Sequence, residues 1–322
     1  MFDWEREERC ARAAESLPGI AGVSVVRQVG KTGRLWYAPA EMEHALDLCI
    51  VGPGRLGTAL ATQLQRVYDC VDTIVARHSS IAKAIALAEK VDAVAKEFDA
   101  ADFEQTVTWL CVPDAAIGTC AKSMAQRREW RGKIVFHSSG ALNSDELKPL
   151  REKGASVASV HPMMTFAPDA KTPLTGVVFA LEGDAKAVEA ARRLVSALQG
   201  SEFVIAKENK VLYHAFGSFL APLLLTTLLT GEKVGEKAGV PPKMLRAAMQ
   251  RIVSQTIDNY FKLGAEASFT GPFVRGDVEV VKKHLKALDP TQREAYVALV
   301  RAALQYLPVA KAEEIRAAIG EA

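Results

Sequence analysis

Three glycines at the end of an apolar run have the residue type and spacing of a phosphate-binding turn. Gly52, Gly54 and Gly57 form the pattern G-x-G-x-x-G, after the apolar run Leu48–Val51 and before a helix-forming segment. In a dinucleotide site the first glycine makes the turn, the second lets the backbone approach a pyrophosphate, and the third lets the helix pack on the strand. The start of that helix presents unbonded N–H groups and a partial positive charge to the phosphates.

The flanking strand and helix and a plausible second strand favour a dinucleotide site over a plain strand-to-helix turn that binds nothing. The residues predicted to contact the cofactor here are Gly52, Pro53, Gly54, Arg55, Leu56 and Gly57.

The second predicted strand, Val71–Ala76, ends in residues that bear on the choice of cofactor. NAD-dependent enzymes usually carry a carboxylate at this strand end for the ribose 2′-hydroxyl, whereas an arginine accommodates a 2′-phosphate. Here Arg77, His78 and Ser79 follow the strand, and no carboxylate does. We therefore predict NADP as the cofactor, bound in part by these three residues. The alternative is that Arg77 is a solvated loop residue.

Later predicted strands also end in residues that could face a ligand, namely Val112, Pro113, Ser138, Ser139 and His161. The carboxyl ends of parallel strands meet at one edge of a sheet, and ligands of open α/β folds bind at that edge. We expect Val112, Pro113 and Ser138 to contact the cofactor and Ser139 to contact the substrate.

Lys210 and His214 stand four residues apart at the start of a long apolar helix, so they share one helix face. Beside a nicotinamide, a lysine or an imidazole can handle the proton that accompanies hydride transfer to C=O or C=N. We predict that Lys210, His214 and His161 are catalytic. The alternatives are a lysine at a domain boundary and histidines that are packed in a core or satisfied by loop backbone.

The segment Ser268–Asp277 reads S-F-T-G-P-F-V-R-G-D, and its glycines and proline indicate a turn between helices. Thr270 and Arg275 are candidates for binding a substrate carboxylate. The alternative is that Arg275 and Asp277 form a plain ion pair.

The order of predicted elements places these residues in an α/β fold. Strands are predicted at 48–51, 71–76, 91–94, 107–112, 133–136, 157–160, 177–181 and 203–205. Helices between them predict a Rossmann-type doubly wound parallel sheet. After this region only helices are indicated, at 207–229, 231–238, 242–263, 277–288, 292–307 and 310–319. These predict an all-α C-terminal domain.

The predicted domains are an N-terminal extension at 1–45, a dinucleotide-binding Rossmann domain at 46–206 and a helical substrate and dimerisation domain at 207–322. Within the extension, a helix is expected at 5–17 and strands are expected at 22–28 and 34–37. We find no chemistry in this extension.

Composition limits the classes of function. A length of 322 residues suits two domains, and 49% apolar with 24% charged residues is ordinary for a globular protein. A formal net charge of +2 gives no reason to expect a nucleic-acid partner. The five cysteines include no C-x-x-C pair and indicate thiols in a reducing compartment without a metal site. We therefore expect a cytoplasmic protein.

One segment raises the question of a membrane. Residues 211–231 contain no Asp, Glu, Lys or Arg, and the length is near that of a membrane span. His214, Pro222 and several threonines within it favour a buried helix at the centre of a helical domain instead. We expect no membrane partner.

Several segments together resemble a known family. They are G-P-G-R-L-G at Gly52–Gly57, H-S-S-G-A-L at His137–Leu142, S-V-H-P-M-M-T-F at Ser159–Phe166, Y-H-A at Tyr213–Ala215 and F-T-G-P-F-V-R-G-D at Phe269–Asp277. With them, residues 46 to about 307 resemble the Rossmann-like NADP oxidoreductase family whose helical C-terminal domain is of unknown function. The chain is also distantly similar to pyrroline-5-carboxylate reductases and 6-phosphogluconate dehydrogenase-like proteins.

The resemblance implies that the helical domain forms a homodimer and closes the substrate site. The hydroxyacid dehydrogenases of the wider superfamily carry Lys-x-x-x-Asn on the first interdomain helix, where this chain has Lys210 and His214. The family tends to have Ser-Asn later in that helix, where this chain has Ala221 and Pro222. The H-P-M segment is similar to that of prephenate dehydrogenases, whose histidine binds the substrate hydroxyl; here that histidine is His161.

We predict an NADP-dependent oxidoreductase that transfers a hydride between nicotinamide and a small imine or ketone, or the corresponding amine or alcohol. Two alternatives come from other classes. One is a non-catalytic NADP-binding sensor or regulatory protein, and the other is a structural dimer with a vestigial site.

Overall fold

The computed structural model describes residues 25–29, 35–39, 46–68, 70–168 and 172–320. The chain divides into two compact units, Met1–Ala215 and Phe216–Ala322. This division falls inside a helix, whereas the sequence places a domain boundary near residue 206, and the three domain ranges remain predictions. The helix predicted at residues 5–17 lies outside the described residues.

Short strands make up the first unit. Those described are β1 Val25–Val29, β2 Leu35–Pro39, β3 Leu48–Val51, β4 Val71–Ala76, β5 Val94–Glu97, β6 Val107–Leu110, β7 Ile134–His137, β8 Ser156–Pro162, β9 Val178–Gly183 and β10 Ser201–Val204. β1 and β2 pair with each other as an antiparallel ribbon. Their bounds are close to those of the two strands predicted in the N-terminal extension, at 22–28 and 34–37.

The other eight strands form one sheet in the order β10-β9-β8-β7-β6-β3-β4-β5. The strands from β3 to β8 are parallel, β9 runs antiparallel to β8, and β10 is parallel to β9. The predicted Rossmann-type α/β fold is confirmed, but the sheet is not parallel throughout. The described part of the connection from β8 to β9 contains no helix. A parallel neighbour would need a crossover, so the two strands pair as antiparallel neighbours.

Helices cover both faces of the sheet. They are α1 Arg55–Tyr68, α2 Ile81–Val91, α3 Asp114–Ala125, α4 Lys148–Glu152 and α5 Ala185–Ala197, with α6 Lys210–Ser218 beginning in this unit. Alternate residues of β3 enter different core clusters, Leu48 and Ile50 in one and Cys49 and Val51 in the other. Because both faces are covered, the central strands are apolar along their whole length.

The described part of the second unit is all-helical, as predicted. A π-helical turn at Phe219–Leu223 follows α6, and the helices after it are α7 Leu224–Lys237, α8 Pro242–Leu263, α9 Ala265–Ser268, α10 Pro272–Arg275, α11 Val278–Ala287, α12 Pro290–Tyr306 and α13 Ala312–Ala318. The predicted break near Gly231 is wrong, since α7 continues through it. The regular α pattern changes instead around Pro222, which has no N–H to donate.

The core of the second unit is small. Its buried residues are Val278, Val281, Leu285, Val300, Ile315 and Ile319. α7 contains no buried residue and α8 contains only Leu245. The expectation that the long apolar helix is buried is therefore not met in the single chain. By length and composition, Lys207–Lys237 is also long and apolar enough to cross a membrane, and 6% of its most apolar window is buried.

Candidate cofactor and active site

The glycine turn lies where the chain order of the sheet reverses. β3 pairs with β4 on one side and with β6 on the other. Ligands of open α/β folds bind outside the carboxyl ends of the strands at such a point. Gly52 directly follows β3, and Cys111 directly follows β6.

Two of the three glycines are required by their surroundings. Gly52 has a φ of +104°, and a Cβ there would lie 2.4 Å from the carbonyl oxygen of Cys111. A Cβ on Gly57 would lie 2.1 Å from the carbonyl oxygen of Gly52. A side chain at Gly52 would push the turn away from the residue after β6, and one at Gly57 would push the helix away from the turn. In both cases the obstacle is a backbone carbonyl, which cannot move without its chain segment.

Gly54 differs from the other two glycines, because a Cβ there would meet no atom within 4 Å. The space in front of this glycine is therefore open to a ligand. Helix α1 begins at the next residue, and the N–H of Thr58 donates to the carbonyl oxygen of Gly54 at 2.8 Å. The N–H groups of Arg55, Leu56 and Gly57 have no acceptor within the helix. An anion such as a pyrophosphate fits this arrangement.

The side chain of Arg55 turns toward another segment. Its Nη1 donates a 2.6 Å hydrogen bond to the carbonyl oxygen of Phe166. Arg55 and Gly54 are exposed, whereas Pro53 and Leu56 are half-buried. The Arg55 side chain is therefore held by another segment of the chain, while its backbone N–H has no acceptor within the helix.

Arg77, His78 and Ser79 lie exposed at the end of β4. His78 Nδ1 lies 2.9 Å from Oε1 of Glu97, the last residue of the neighbouring strand β5. The sequence analysis missed Glu97 because it placed this strand at 91–94. The end of β4 thus carries the basic and hydroxyl groups of Arg77, His78 and Ser79, and the adjacent strand adds the carboxylate of Glu97.

Val112 and Pro113 follow β6, and Val112 lies against the turn. A Cβ on Gly52 would be 3.3 Å from Cγ1 of Val112. Asp114, the first residue of α3, accepts a 2.7 Å hydrogen bond at Oδ2 from the hydroxyl of Ser139. Sequence reasoning missed Asp114, although its position directly after Pro113 at a strand end is a usable signal.

Both serines after β7 are held by protein groups. Ser138 Oγ accepts a 2.7 Å hydrogen bond from Nε1 of Trp109. The buried Ser139 donates to Asp114, and its Oγ accepts from the backbone N–H of Leu142 at 2.9 Å. Their predicted roles in binding cofactor and substrate remain predictions.

His137 shapes the loop that carries these serines. Its Nδ1 accepts from the N–H of Ser139 at 3.1 Å, and its Nε2 lies 3.0 Å from the carbonyl oxygen of Asn143. This arrangement requires a neutral ring with its proton on Nε2. Burial lowers the pKa of His137 to about 4, and the Lys210 charge also lowers it, against the effects of the Asn143 carbonyl and Asp114.

Lys210 is buried at the start of α6, with 1% of its surface exposed. Its Nζ donates to the carbonyl oxygen of Ser139 at 2.8 Å and to Oγ of Ser159 at 2.5 Å. Burial lowers its pKa to about 8, while Glu182 and Asp114 act in the opposite direction. Lys210 thus contacts residues from two strands, but its hydrogen bonds go to protein atoms, and its catalytic role remains a prediction.

His161, near the end of β8, pairs with a tyrosine that we did not predict. Its Nδ1 lies 2.7 Å from the hydroxyl of Tyr213, and the two rings are perpendicular with centroids 5.5 Å apart. Burial lowers the pKa of His161 to about 4, and the charges of Lys210, His214 and His137 add to this. The available signal for this pair was the occurrence of His161 and Tyr213 within the H-P-M and Y-H-A motifs.

His214 lies on the exposed side of α6, and its ring is perpendicular to that of His161 with centroids 6.3 Å apart. Gly140, which follows Ser139 in the loop after β7, lies next to both rings. A Cβ on Gly140 would lie 2.7 Å from Cδ2 of His214 and 2.9 Å from Nε2 of His161. Any side chain at position 140 would crowd the Nε2 edge of His161.

The last two predicted site residues belong to the second unit. Thr270 is exposed in the turn between α9 and α10. Arg275 ends α10, and its Nε donates to Oδ2 of Asp277 at 2.8 Å. The ion pair considered as an alternative is therefore present, and binding of a carboxylate by Thr270 and Arg275 remains a prediction. Among the described residues no cluster of His, Cys, Asp and Glu is suited to hold a metal ion.

Two family models match the sequence. Residues 39–162 match a Rossmann-like domain, and residues 177–303 match a domain of unknown function, DUF2520. The chain thus carries a Rossmann-like domain followed by a DUF2520 domain, in agreement with the resemblance of its motifs. A search of curated proteins finds no match.

Several solved structures share the fold. A Bacteroides fragilis protein provisionally assigned as an NADP oxidoreductase is 20% identical, with a TM-score of 0.66 over 80% of this chain and 97% of that one. A reductive aminase from Aspergillus terreus, in complex with NADPH and ethyl-5-oxohexanoate, is 18% identical, with a TM-score of 0.62 over 85% and 99%. An imine reductase from Myxococcus stipitatus, in complex with NADP+, is 18% identical, with a TM-score of 0.59 over 80% and 94%.

Proposed function

We propose that this chain, a Rossmann-like domain followed by a DUF2520 domain, is an NADP-dependent oxidoreductase. It transfers a hydride between nicotinamide and a small imine or ketone, or the corresponding amine or alcohol. The observation that carries the proposal is the glycine turn. Open space at Gly54 meets unbonded N–H groups of α1 at the point where the sheet order reverses.

NADP fits the residues around this turn. The N–H groups of Arg55, Leu56 and Gly57 would hold the pyrophosphate, and Arg77 with Ser79 would hold the 2′-phosphate at the end of β4. When bound, the cofactor supplies or accepts hydride at its nicotinamide ring. The chain's own groups bind and orient the substrate and handle its proton, with His161, Lys210 and His214 as the candidates.

The structural neighbours support this class of reaction. One is an Aspergillus terreus reductive aminase in complex with NADPH4, cyclohexanone and allyl amine. At under 25% identity these proteins support the choice of class, and a small carbonyl or imine compound is the proposed substrate.

A binding experiment tests the cofactor proposal. We expect NADPH to bind the full-length protein with micromolar or tighter affinity, measured by nicotinamide fluorescence. Gly54→Ala fills the open space without meeting a neighbour. It should weaken NADPH binding at least about tenfold, which is about 1.4 kcal/mol.

Gly231→Ala is the matched control, because a Cβ at Gly231 also meets no atom within 4 Å. It should leave the affinity unchanged. If wild-type protein binds neither NADPH nor NADH at micromolar concentrations, the proposal fails.

We also propose that the protein is a cytoplasmic homodimer joined through its helical domain. Large apolar side chains of the second unit are exposed in the single chain, among them Phe219, Leu225, Ile252, Phe261 and Tyr306. Apolar surface on this scale marks an interaction surface. Sedimentation at micromolar concentration should give twice the mass of one chain, whereas association with lipid vesicles would identify a membrane as the partner.

A non-catalytic NADP sensor is the second candidate. The observation that favours it is that Ser138, Ser139 and Lys210 are all held by protein groups. A sensor would bind NADPH tightly and turn over no member of a carbonyl and imine panel. Turnover of any member excludes it.

A further inference from the structure

The pair formed by His161 and Tyr213 is a polar contact of the first unit whose role the proposed function leaves unexplained. The Tyr213 side chain is 7% exposed, and its hydroxyl lies 2.7 Å from His161 Nδ1. A buried phenol needs a hydrogen-bond acceptor, because a buried hydroxyl left without a partner loses the hydrogen bonds that it would make to water. His161 Nδ1 provides that acceptor.

The position of the ring proton follows from this contact. Burial raises the pKa of Tyr213 to about 12, so the hydroxyl keeps its proton at neutral pH. When the hydroxyl donates to Nδ1, that nitrogen is the acceptor and the proton of the neutral ring sits on Nε2. Tyr213 therefore selects the tautomer of His161 that presents an N–H at Nε2.

The ring stays neutral under physiological conditions. Burial, together with the effects of Lys210, His214 and His137, lowers the pKa of His161 to about 4. A neutral imidazole whose pKa is depressed acts as a hydrogen-bond donor that polarises an acceptor, instead of as a charged acid. Gly140 lies beside the Nε2 edge, and a side chain there would cover it, since a Cβ would be 2.9 Å from this nitrogen.

Positive charge lies behind this donor. The Lys210 ammonium is bound by Ser159, which is two residues before His161 on the same face of β8, and by the carbonyl of Ser139, which precedes Gly140. Two carboxylates also act on Lys210, Glu182 and Asp114. Glu182 accepts from the N–H and hydroxyl of Ser144, and Asp114 accepts from the hydroxyl of Ser139. These bonds do not cancel a carboxylate's charge, but the neighbours that act on the His161 ring itself, Lys210, His214 and His137, all disfavour a positive charge there.

We propose that the acceptor bound at His161 is the oxygen of a neutral carbonyl compound and not a preformed iminium cation, and that Tyr213 is the positioning residue that holds His161 as the donor. The inference rests on the proposed function and narrows its substrate class to ketones and aldehydes. A developing alkoxide is stabilised by the N–H and by the nearby ammonium, whereas a cation is repelled by the same charge.

Reduction of a carbonyl compound requires a hydride, which a bound nicotinamide would supply with its two electrons to the carbonyl carbon, and the π pair of the C=O bond would then move to oxygen. The oxygen accepts the hydrogen bond from His161 Nε2 while this charge develops. The proton that neutralises the oxygen comes from one of the other two candidate groups, Lys210 or His214, which solvent then reprotonates, so His161 and Tyr213 end the step in their starting protonation states.

The first test compares substrates on the full-length protein with saturating NADPH. Ketones and aldehydes are paired with permanently cationic N-methyl iminium ions of similar size. We expect kcat/KM for the carbonyl member to be at least about tenfold higher. A preference for the cation overturns the inference while leaving the proposed function intact.

The second test uses variants and separates positioning from folding. Tyr213→Phe should lower kcat about tenfold with an unchanged Kd for NADPH. Tyr296→Phe is the matched control, because Tyr296 makes the same kind of contact with His284 Nδ1, at 3.0 Å. His161→Asn, which keeps an N–H donor, should retain more activity than His161→Ala. Equal loss in Tyr213→Phe and Tyr296→Phe contradicts the inference.

The third test does not depend on turnover. Nitrogen NMR of protein labelled with 15N-histidine, with the His161 signal assigned from His161→Asn, reports the tautomer directly. We expect a proton on Nε2 and no titration from about pH 5 to pH 8, and Tyr213→Phe should give a mixture of tautomers. An imidazolium at neutral pH, or a wild-type proton on Nδ1, overturns the inference even when no substrate is turned over.

Discussion

The ammonium of Lys210 donates a 2.8 Å hydrogen bond to the carbonyl oxygen of Ser139, and this contact joins the start of α6 to the loop after β7. Ser159 Oγ donates to the same carbonyl at 3.1 Å and accepts from the same ammonium. Burying a charge costs less free energy when the charged group makes two good hydrogen bonds than when it has no partner. Lys210 therefore fixes the backbone beside His161 and sets the local charge.

Removing the charge of Lys210 should change how stability depends on pH. The pKa of Lys210 is about 8 in the folded protein, below its ordinary value of 10.5. Between these values the unfolded chain binds a proton at this position that the folded chain has lost, so Lys210 makes the free energy of unfolding rise with pH. The buried thiols of Cys49 and Cys111, whose pKa values are raised by burial, act in the opposite direction but are common to both proteins. The change in unfolding free energy from about pH 7.5 to about pH 9.5, measured with denaturant, should therefore be more favourable in the wild type than in Lys210→Met. An identical change in both proteins would contradict the buried charge.

Acid should destabilise the protein through His137. The folded pKa of about 4 lies below the ordinary 6.5, so the unfolded chain binds a proton that the folded chain excludes. Stability is therefore lost as the pH falls from about 6.5 to 4, by about 3 kcal/mol for this group. His137→Asn should be less stable at neutral pH but should lose less stability over this range. A slope in His137→Asn identical to that of the wild type would contradict this assignment.

Two of the three glycines of the turn should respond differently to alanine. Gly57→Ala places a Cβ 2.1 Å from a backbone oxygen, whereas Gly54→Ala meets no atom within 4 Å. We expect Gly57→Ala to lower the free energy of unfolding by about 2 kcal/mol or more and Gly54→Ala to leave it nearly unchanged. Thermal unfolding without ligand measures both. Equal Tm values for the two variants would show that the turn is not packed as described.

Reversing the charge at the end of β4 should shift the cofactor preference. Arg77→Asp replaces a partner of the 2′-phosphate with a carboxylate that can bind a ribose hydroxyl. NADPH affinity should fall at least about tenfold, and NADH affinity should stay equal or rise. Lys122→Asp makes the same change of charge at an exposed position on α3 and should alter neither affinity. An unchanged preference in Arg77→Asp would remove Arg77 from the cofactor site.

Much of the fold could be predicted because it depends on local pattern. The run Leu48–Val51 is buried on both faces, as its unbroken apolar sequence indicates. The glycine spacing predicted the strand, turn and helix, because Gly52 and Gly57 permit contacts that other residues would block. The reversal of β9 and β10 was missed, because strand direction depends on the path of a connection and not on the strand's own residues.

The sequence by itself determined which residues reach the carboxyl edge of the sheet, including His161, and that Lys210 stands at the start of the helix after the sheet. Only the tertiary structure decided what each one does there. It buried Lys210 against Ser139 and Ser159 and paired His161 with Tyr213, 52 residues away. Spacing along a helix or strand is fixed by local geometry, whereas partners, burial and the resulting pKa values depend on segments that meet only when the chain folds.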